Sequence, residues 1–188
     1  MKMLHNKKGF TLIEIVVILA VIAVLAAVIS PMIIGYIKDA KIRRAEMDVK
    51  VIGTAIMAFN KDTRDWPIWS DGSAMTTPVE GLKSVGDVPS GTLPGSRDTI
   101  EDQLITNVAG YATEGRRRWR GPYLEKVTED PWGNAYYVDV EGLQKDQLGG
   151  FMAVFAISAG PNEDIETAFG QTGPSITVVG DDITYRIK

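Results

Sequence analysis

Few side chains in this 188-residue sequence could do covalent chemistry. It holds one histidine, His5, and no cysteine, which excludes a thiol nucleophile, a thiolate zinc site and a disulfide framework. The patterns GxSxG, GxxxxGK[ST] and HExxH are also absent, so the common hydrolase, nucleotide-binding and zinc-protease signatures are missing. What remains is oxygen chemistry. Ser158, Asn162, Glu163, Asp164, Glu166, Asp181 and Asp182 gather around Gly- and Pro-rich turns near the C-terminus. Calcium takes about six to eight oxygen ligands of these kinds, but acidic turns are ordinarily just solvated, and no EF-hand spacing is present. A carboxylate pair such as Asp181-Asp182 would serve a glycosidase only across a sugar cleft.

Two other charged features stand out. Glu14 is the single charge between Phe10 and Ile29. Arg116-Arg117-Arg118-Trp119-Arg120 is a compact basic run. It reads as a solvated surface turn, open to pairing with acids on a neighbouring subunit. Four charges over five residues make a weak nucleic-acid or lipid-headgroup patch in a chain of net charge −4.

The elements that must position these residues begin with the apolar run. Phe10 to Ile37 holds 23 apolar residues in 28 positions. A helix rising about 1.5 Å per residue crosses a bilayer core of about 30 Å within that length. Lys2, Lys7 and Lys8 precede it and favour a cytoplasmic N-terminus. No A-x-A site follows the run, which argues against a secretory signal peptide, and without cysteine there is no lipoprotein signal. Ile42, Ala45, Val49, Ile52, Ile56 and Phe59 then recur at 3-4 spacing, an apolar stripe that extends the helix with charged residues on its other faces. Pro31, between Ser30 and Gly35, is the expected place for this helix to kink or melt. Arg64-Asp65-Trp66-Pro67 should end it, and 68–96 reads as a long surface loop. A short helix is expected over 99–109 with Asp98 as N-cap. Strands are expected at 135–140, 151–157 and 183–187. One long helix on a small antiparallel sheet makes an α+β unit.

Lys7-Lys8-Gly9-Phe10-Thr11-Leu12-Ile13-Glu14 resembles the cleavage and assembly motif of type IV pilins and pseudopilins, with the long apolar helix in register behind it. Further on, GPYL, DPWGNAYY, FAISAGPNEDI and DDI follow one another in the order found in the C-terminal half of the major pseudopilin of type II secretion. The resemblance implies cleavage by a prepilin peptidase between Gly9 and Phe10, with methylation of the new amine. It also implies that Glu14 pairs with the Phe10 amine of a neighbouring subunit, and that Pro31 marks a local unwinding on assembly. In this reading residues 1–9 are a leader, 10–37 the transmembrane and assembly helix, and 38–188 a periplasmic domain. That domain divides into helix 38–60, variable loop 61–118 and sheet region 121–188.

The implied partners are further copies of the chain in a helical homopolymer, the prepilin peptidase, an inner-membrane assembly platform and minor pseudopilins. The implied role is structural and non-enzymatic. The filament, extracted from the inner membrane, would help to export folded proteins, or in the alternative serve adhesion or motility. Pseudopilins of this branch bind calcium between their last strands. Motif matching then points to the Ala159 carbonyl, the Asn162 side chain and Asp181, with Asp164 and Asp182 beside them. Cleavage after Gly9 would remove three lysines, so the charge passes from −4 to −7, and His5 leaves with them.

Overall fold

The computed structural model describes residues 9–70, 78–95, 97–143, 152–172 and 175–188, with the backbone alone at position 31. The leader lysines and His5, Gly149-Gly150 and Phe151 lie outside the described residues. The chain divides into two units, Met1–Ala40 and Lys41–Lys188.

In the first unit, α1 (Leu12–Thr63) begins. Its most apolar 18-residue window has a mean hydropathy of 3.3, and none of it is buried. Nothing in water would tolerate such a surface uncovered. Lipid, or the same helix of other copies, is the medium it suits. The helix is one element through position 31. No melted turn interrupts it there, because a proline removes one hydrogen bond from a ladder of dozens. The Ser30 hydroxyl donates to the Ala26 carbonyl at 2.7 Å.

The second unit is organised by the rest of α1. Ala45, Val49, Ile52, Ile56 and Phe59 are buried, as their spacing requires, and Ala55 joins them. Arg43, Arg44, Glu46 and Lys50 stay exposed. The helix ends three residues beyond the expected 60. There Arg64 takes a left-handed φ of 60° and its N–H reaches the Asn60 carbonyl at 2.9 Å, a C-terminal cap of the αL kind.

Against this helix lies a five-stranded sheet. Its strands are β1 (Gly81–Lys83), β3 (Arg97–Thr99), β4 (Tyr137–Asp139), β5 (Phe155–Ser158) and β7 (Ile183–Arg186), in the order β3-β1-β4-β5-β7. A second ladder joins β2 (Ser90–Gly91) to β6 (Asp164–Ile165). The expected antiparallel sheet is a mixed one. β1–β4, β4–β5 and β5–β7 are antiparallel, but β3 runs parallel to β1 and β2 parallel to β6. The 13 residues between β1 and β3 (84–96) are long enough for the chain to cross back and enter the sheet in the same direction.

The loop expected over 68–96 thus supplies two strands and buries Ile68, Val79 and Leu82. The expected helix 99–109 shortens to α2 (Ile100–Leu104). Its N-cap is Thr99, not Asp98: Thr99 Oγ1 accepts from Asp102 N at 3.0 Å. Asp98 is engaged elsewhere, taking the Thr99 N–H and the buried Gln103 amide.

The core has two parts because β4 and β5 are buried on both faces. Tyr136, Val138, Val154 and Ala156 join the α1 side. Ala135, Tyr137, Phe155 and Ile157 face a second cluster with Leu93, Phe169 and Ile176. Phe155 and Phe169 stack at 5.5 Å. Phe169 and Ile176, from the long 166–180 segment, therefore cover the sheet's outer face.

Candidate functional site

At the N-terminal end, Gly9 and Phe10 are exposed. The first turn of α1 is a capping box, in which a threonine at the N-cap and a glutamate at the third helical position satisfy each other's backbone N–H groups. Glu14 Oε2 accepts from Thr11 N at 2.7 Å and from Thr11 Oγ1 at 2.8 Å, and Glu14 N donates to Thr11 Oγ1 at 3.4 Å. The T-x-x-E spacing of Thr11 and Glu14 was there to be read in the sequence. Oε1 makes no hydrogen bond among the described residues, so the carboxylate keeps acceptor capacity for a cation.

The DPWGN corner orders the C-terminal half. Asp130 is buried. Its Oδ1 accepts from Trp132 N and Asn134 N, each at 2.9 Å, and its Oδ2 from Ser158 Oγ at 2.7 Å. Ser158 Oγ in turn accepts the Gly160 N–H at 3.2 Å. One carboxylate thus ties the turn before β4 to the end of β5. The aromatic residues of this motif are core, as expected: Tyr136 and Tyr137 are buried, and the Tyr136 hydroxyl donates to Asp48 on α1 at 2.8 Å.

Beyond Ser158 lie the acidic turns. Asn162 is their node. Its N–H donates to Asp181 Oδ2 at 3.1 Å, its Oδ1 accepts from Asp164 N at 2.9 Å, and its Nδ2 donates to Glu166 Oε2 at 3.2 Å. Ala159 is buried just before this turn. Gly160 (φ +70°) admits no side chain, because a Cβ there would lie 2.3 Å from the Asp181 carbonyl oxygen. Asp182 turns to another task. Its Oδ2 accepts the N–H groups of Glu166 at 3.0 Å and Thr167 at 2.6 Å, and burial pushes its pKa up against those bonds.

Among the described residues, the buried Oδ1 atoms of Asp164, Asp181 and Asp182 have no hydrogen-bond partner. Oxygens left in that state are costly unless something takes them up, and their chemistry is that of a calcium ligand. They do not form a close cluster of three acids among the described residues. A cation here would have to draw on amide and carbonyl oxygens as well.

The family comparisons match the N-terminal motif and the segment that holds the DPWGN corner, while the acidic turns lie outside both matches. Residues 4–30 match the prokaryotic N-terminal methylation motif, and 87–149 match type II secretion system protein G. The chain is pilin-like, and it resembles the core protein G of type II secretion. It is 28% identical to the Escherichia coli (strain K12) type II secretion system core protein G, over 89% of this chain and 90% of that protein. The Pseudomonas aeruginosa protein of the same name is 28% identical over 70% of this chain and 72% of its own length. That of Vibrio cholerae is 24% identical over 72% and 73%. No solved structure matches the chain. The long helix and small mixed sheet are those of a pilin-like α+β fold.

Proposed function

We propose that the chain is a structural subunit of a type II secretion pseudopilus. A peptidase frees Phe10, and the helix over 10–37 anchors the subunit in the inner membrane with its N-terminus cytoplasmic. The domain over 38–188 stands in the periplasm. Assembly through α1 then extracts subunits into a filament that helps folded proteins to cross the outer membrane. The observation that carries this is the apolar N-terminal stretch of α1, none of its most apolar window buried, with one carboxylate fixed at its N-terminal end. Buried among copies of itself, such a helix would dock where Glu14 meets a positive group, and apolar packing would supply most of the adhesion. An adhesion or motility filament would share that helix, but the match over 87–149 favours secretion. Deleting the gene should leave secreted proteins in the periplasm. Glu14→Ala should abolish filaments while leaving cleavage and insertion intact, and normal filaments from that variant would refute the charge-pairing role.

Calcium is part of the same proposal. Asp181, Asp164 and Asn162, already linked by hydrogen bonds, would hold the ion with the Ala159 carbonyl, and Asp182 would close the loop behind them. The unpartnered oxygens of the three aspartates support this. Chelating calcium from the full chain in detergent should lower the melting temperature of the globular unit. An unchanged melt, with or without Asp181→Ala, would count against the ion.

A further inference from the structure

The basic run does not stand alone. Arg116, Arg117 and Arg120 line an open groove of about 760 Å³ together with Lys61 and Arg64 from the C-terminal end of α1. Asp62 is the only acid among its lining residues. Among the described residues, none of these five cations has an ion pair within 4 Å. Five positive groups against one acid around one groove, on a chain of net charge −4, form a concentrated field that selects an anionic occupant.

The opposite end of the same unit carries the opposite charge. Between Met152 and Tyr185 there are five acids and no lysine or arginine. This segment is tied through Ser158 to Asp130, next to Glu129, whose carbonyl accepts from Arg44 on α1 at 3.3 Å. The groove sits at Lys61, 17 residues and about 25 Å along the same helix. Glu163 and Glu166 are exposed at the acidic end. Of the α1 cations on that stretch, Arg44 pairs with Asp48 at 3.5 Å and Lys41 lies over the Trp132 ring.

We infer that the groove lined by Lys61, Arg64, Arg116, Arg117 and Arg120 receives the Glu163–Glu166 turn of a second copy of this chain. Different surfaces meet in such a contact, so it repeats head to tail and builds an open filament instead of closing on a dimer. The inference rests on the filament-subunit reading above and deepens it, because it assigns the globular units a contact separate from the helix bundle. Solvent reaches these charges, so the contact sets register and orientation more than adhesion, and it weakens as salt rises.

The lack of native cysteine allows a direct test in the full chain. With Arg117→Cys and Glu163→Cys in one chain, a short bismaleimide should convert assembled filaments into a ladder of trimers, tetramers and longer species. Each single-cysteine variant should stay monomeric, because the contact brings 117 to 163 and not to its own copy. In parallel, Arg117→Glu should lower the filament yield about tenfold, the factor for losing one well-placed charge pair. Adding Glu163→Lys should restore it, which a merely misfolded variant would not allow. Filaments with no ladder, or no rescue by the reversed pair, would overturn this contact and leave the subunit reading standing. Absence of filaments from the unsubstituted chain would overturn that reading, and the contact with it.

Discussion

Asp130 offers the sharpest test of how the C-terminal half is held together. Its buried carboxylate accepts three hydrogen bonds, from Trp132 N, Asn134 N and Ser158 Oγ. Asp130→Ala leaves two backbone N–H groups and a hydroxyl without that partner, at about 1–3 kcal/mol for each group that stays buried. Removing the buried charge returns part of this, so the net cost should be about 3–5 kcal/mol. For a unit of this size each kcal/mol lowers Tm by about 2–4 °C, which predicts a fall of roughly 6–20 °C. Asp130→Asn separates the interactions. Its amide oxygen can still take both N–H groups, and only the Ser158 bond must rearrange, at about 1 kcal/mol. Thermal melts of the full chain in detergent, followed by near-UV circular dichroism, would report the globular unit apart from the membrane helix. An alanine variant within about 1 kcal/mol of wild type, or an asparagine variant as unstable as alanine, would refute the reasoning.

Tyr136→Phe should destabilise the unit by about 1.5–3 kcal/mol, because the hydroxyl donates to a carboxylate across the helix–sheet boundary; denaturant unfolding would measure it, and an unchanged midpoint would place the bond's worth near zero. Burial pushes the Asp139 carboxyl up against the N–H groups of Gly170 and Glu141 that favour its charge. The folded chain therefore holds that proton more tightly than the unfolded one, so stability should fall as pH rises from the ordinary carboxylate range through the raised value. Asp139→Asn should flatten that part of a Tm-versus-pH profile whatever its constant offset, and an unchanged slope would assign the dependence elsewhere.

The parts legible in the sequence were those with a long period or a fixed motif. The stripe from Ala45 to Phe59 is one face of a helix, and burial follows it residue by residue. β4 and β7 fall within the expected strands and β5 overlaps the remaining one, running one residue past it to Ser158, since each has apolar or β-branched residues in a row. β1 was invisible for the opposite reason. Gly81-Leu82-Lys83 has no alternation and little strand propensity, and it is a strand because β3 and β4 pair with it on either side. The same tertiary override makes two-residue strands of Ser90-Gly91 and Asp164-Ile165. At the acidic turns, composition could suggest donors but not their division of labour. That Asp182 holds the N–H groups of Glu166 and Thr167, while Asp181 holds that of Asn162, depends on where the loop ends.

In the proposed assembly, Glu14 would serve as a local cap and an assembly contact with one side chain. A carboxylate offers about four acceptor directions, and Thr11 uses one oxygen only. The cap fixes the rotamer and lowers the cost of holding the charge at the membrane edge, since two donors already solvate Oε2. The other oxygen makes no hydrogen bond among the described residues, and in the proposed pairing a positive group would complete its solvation. Cap and proposed pairing would therefore reinforce each other, and they come apart under different substitutions. Glu14→Gln keeps an oxygen for the Thr11 N–H and removes the charge, whereas Thr11→Val keeps the charge and removes the hydroxyl. If register comes from charge, the glutamine variant fails to assemble despite an intact helix start, while the valine variant assembles with a less well placed carboxylate. The reverse order of severity would make the helix start, not the charge, the element that docking reads.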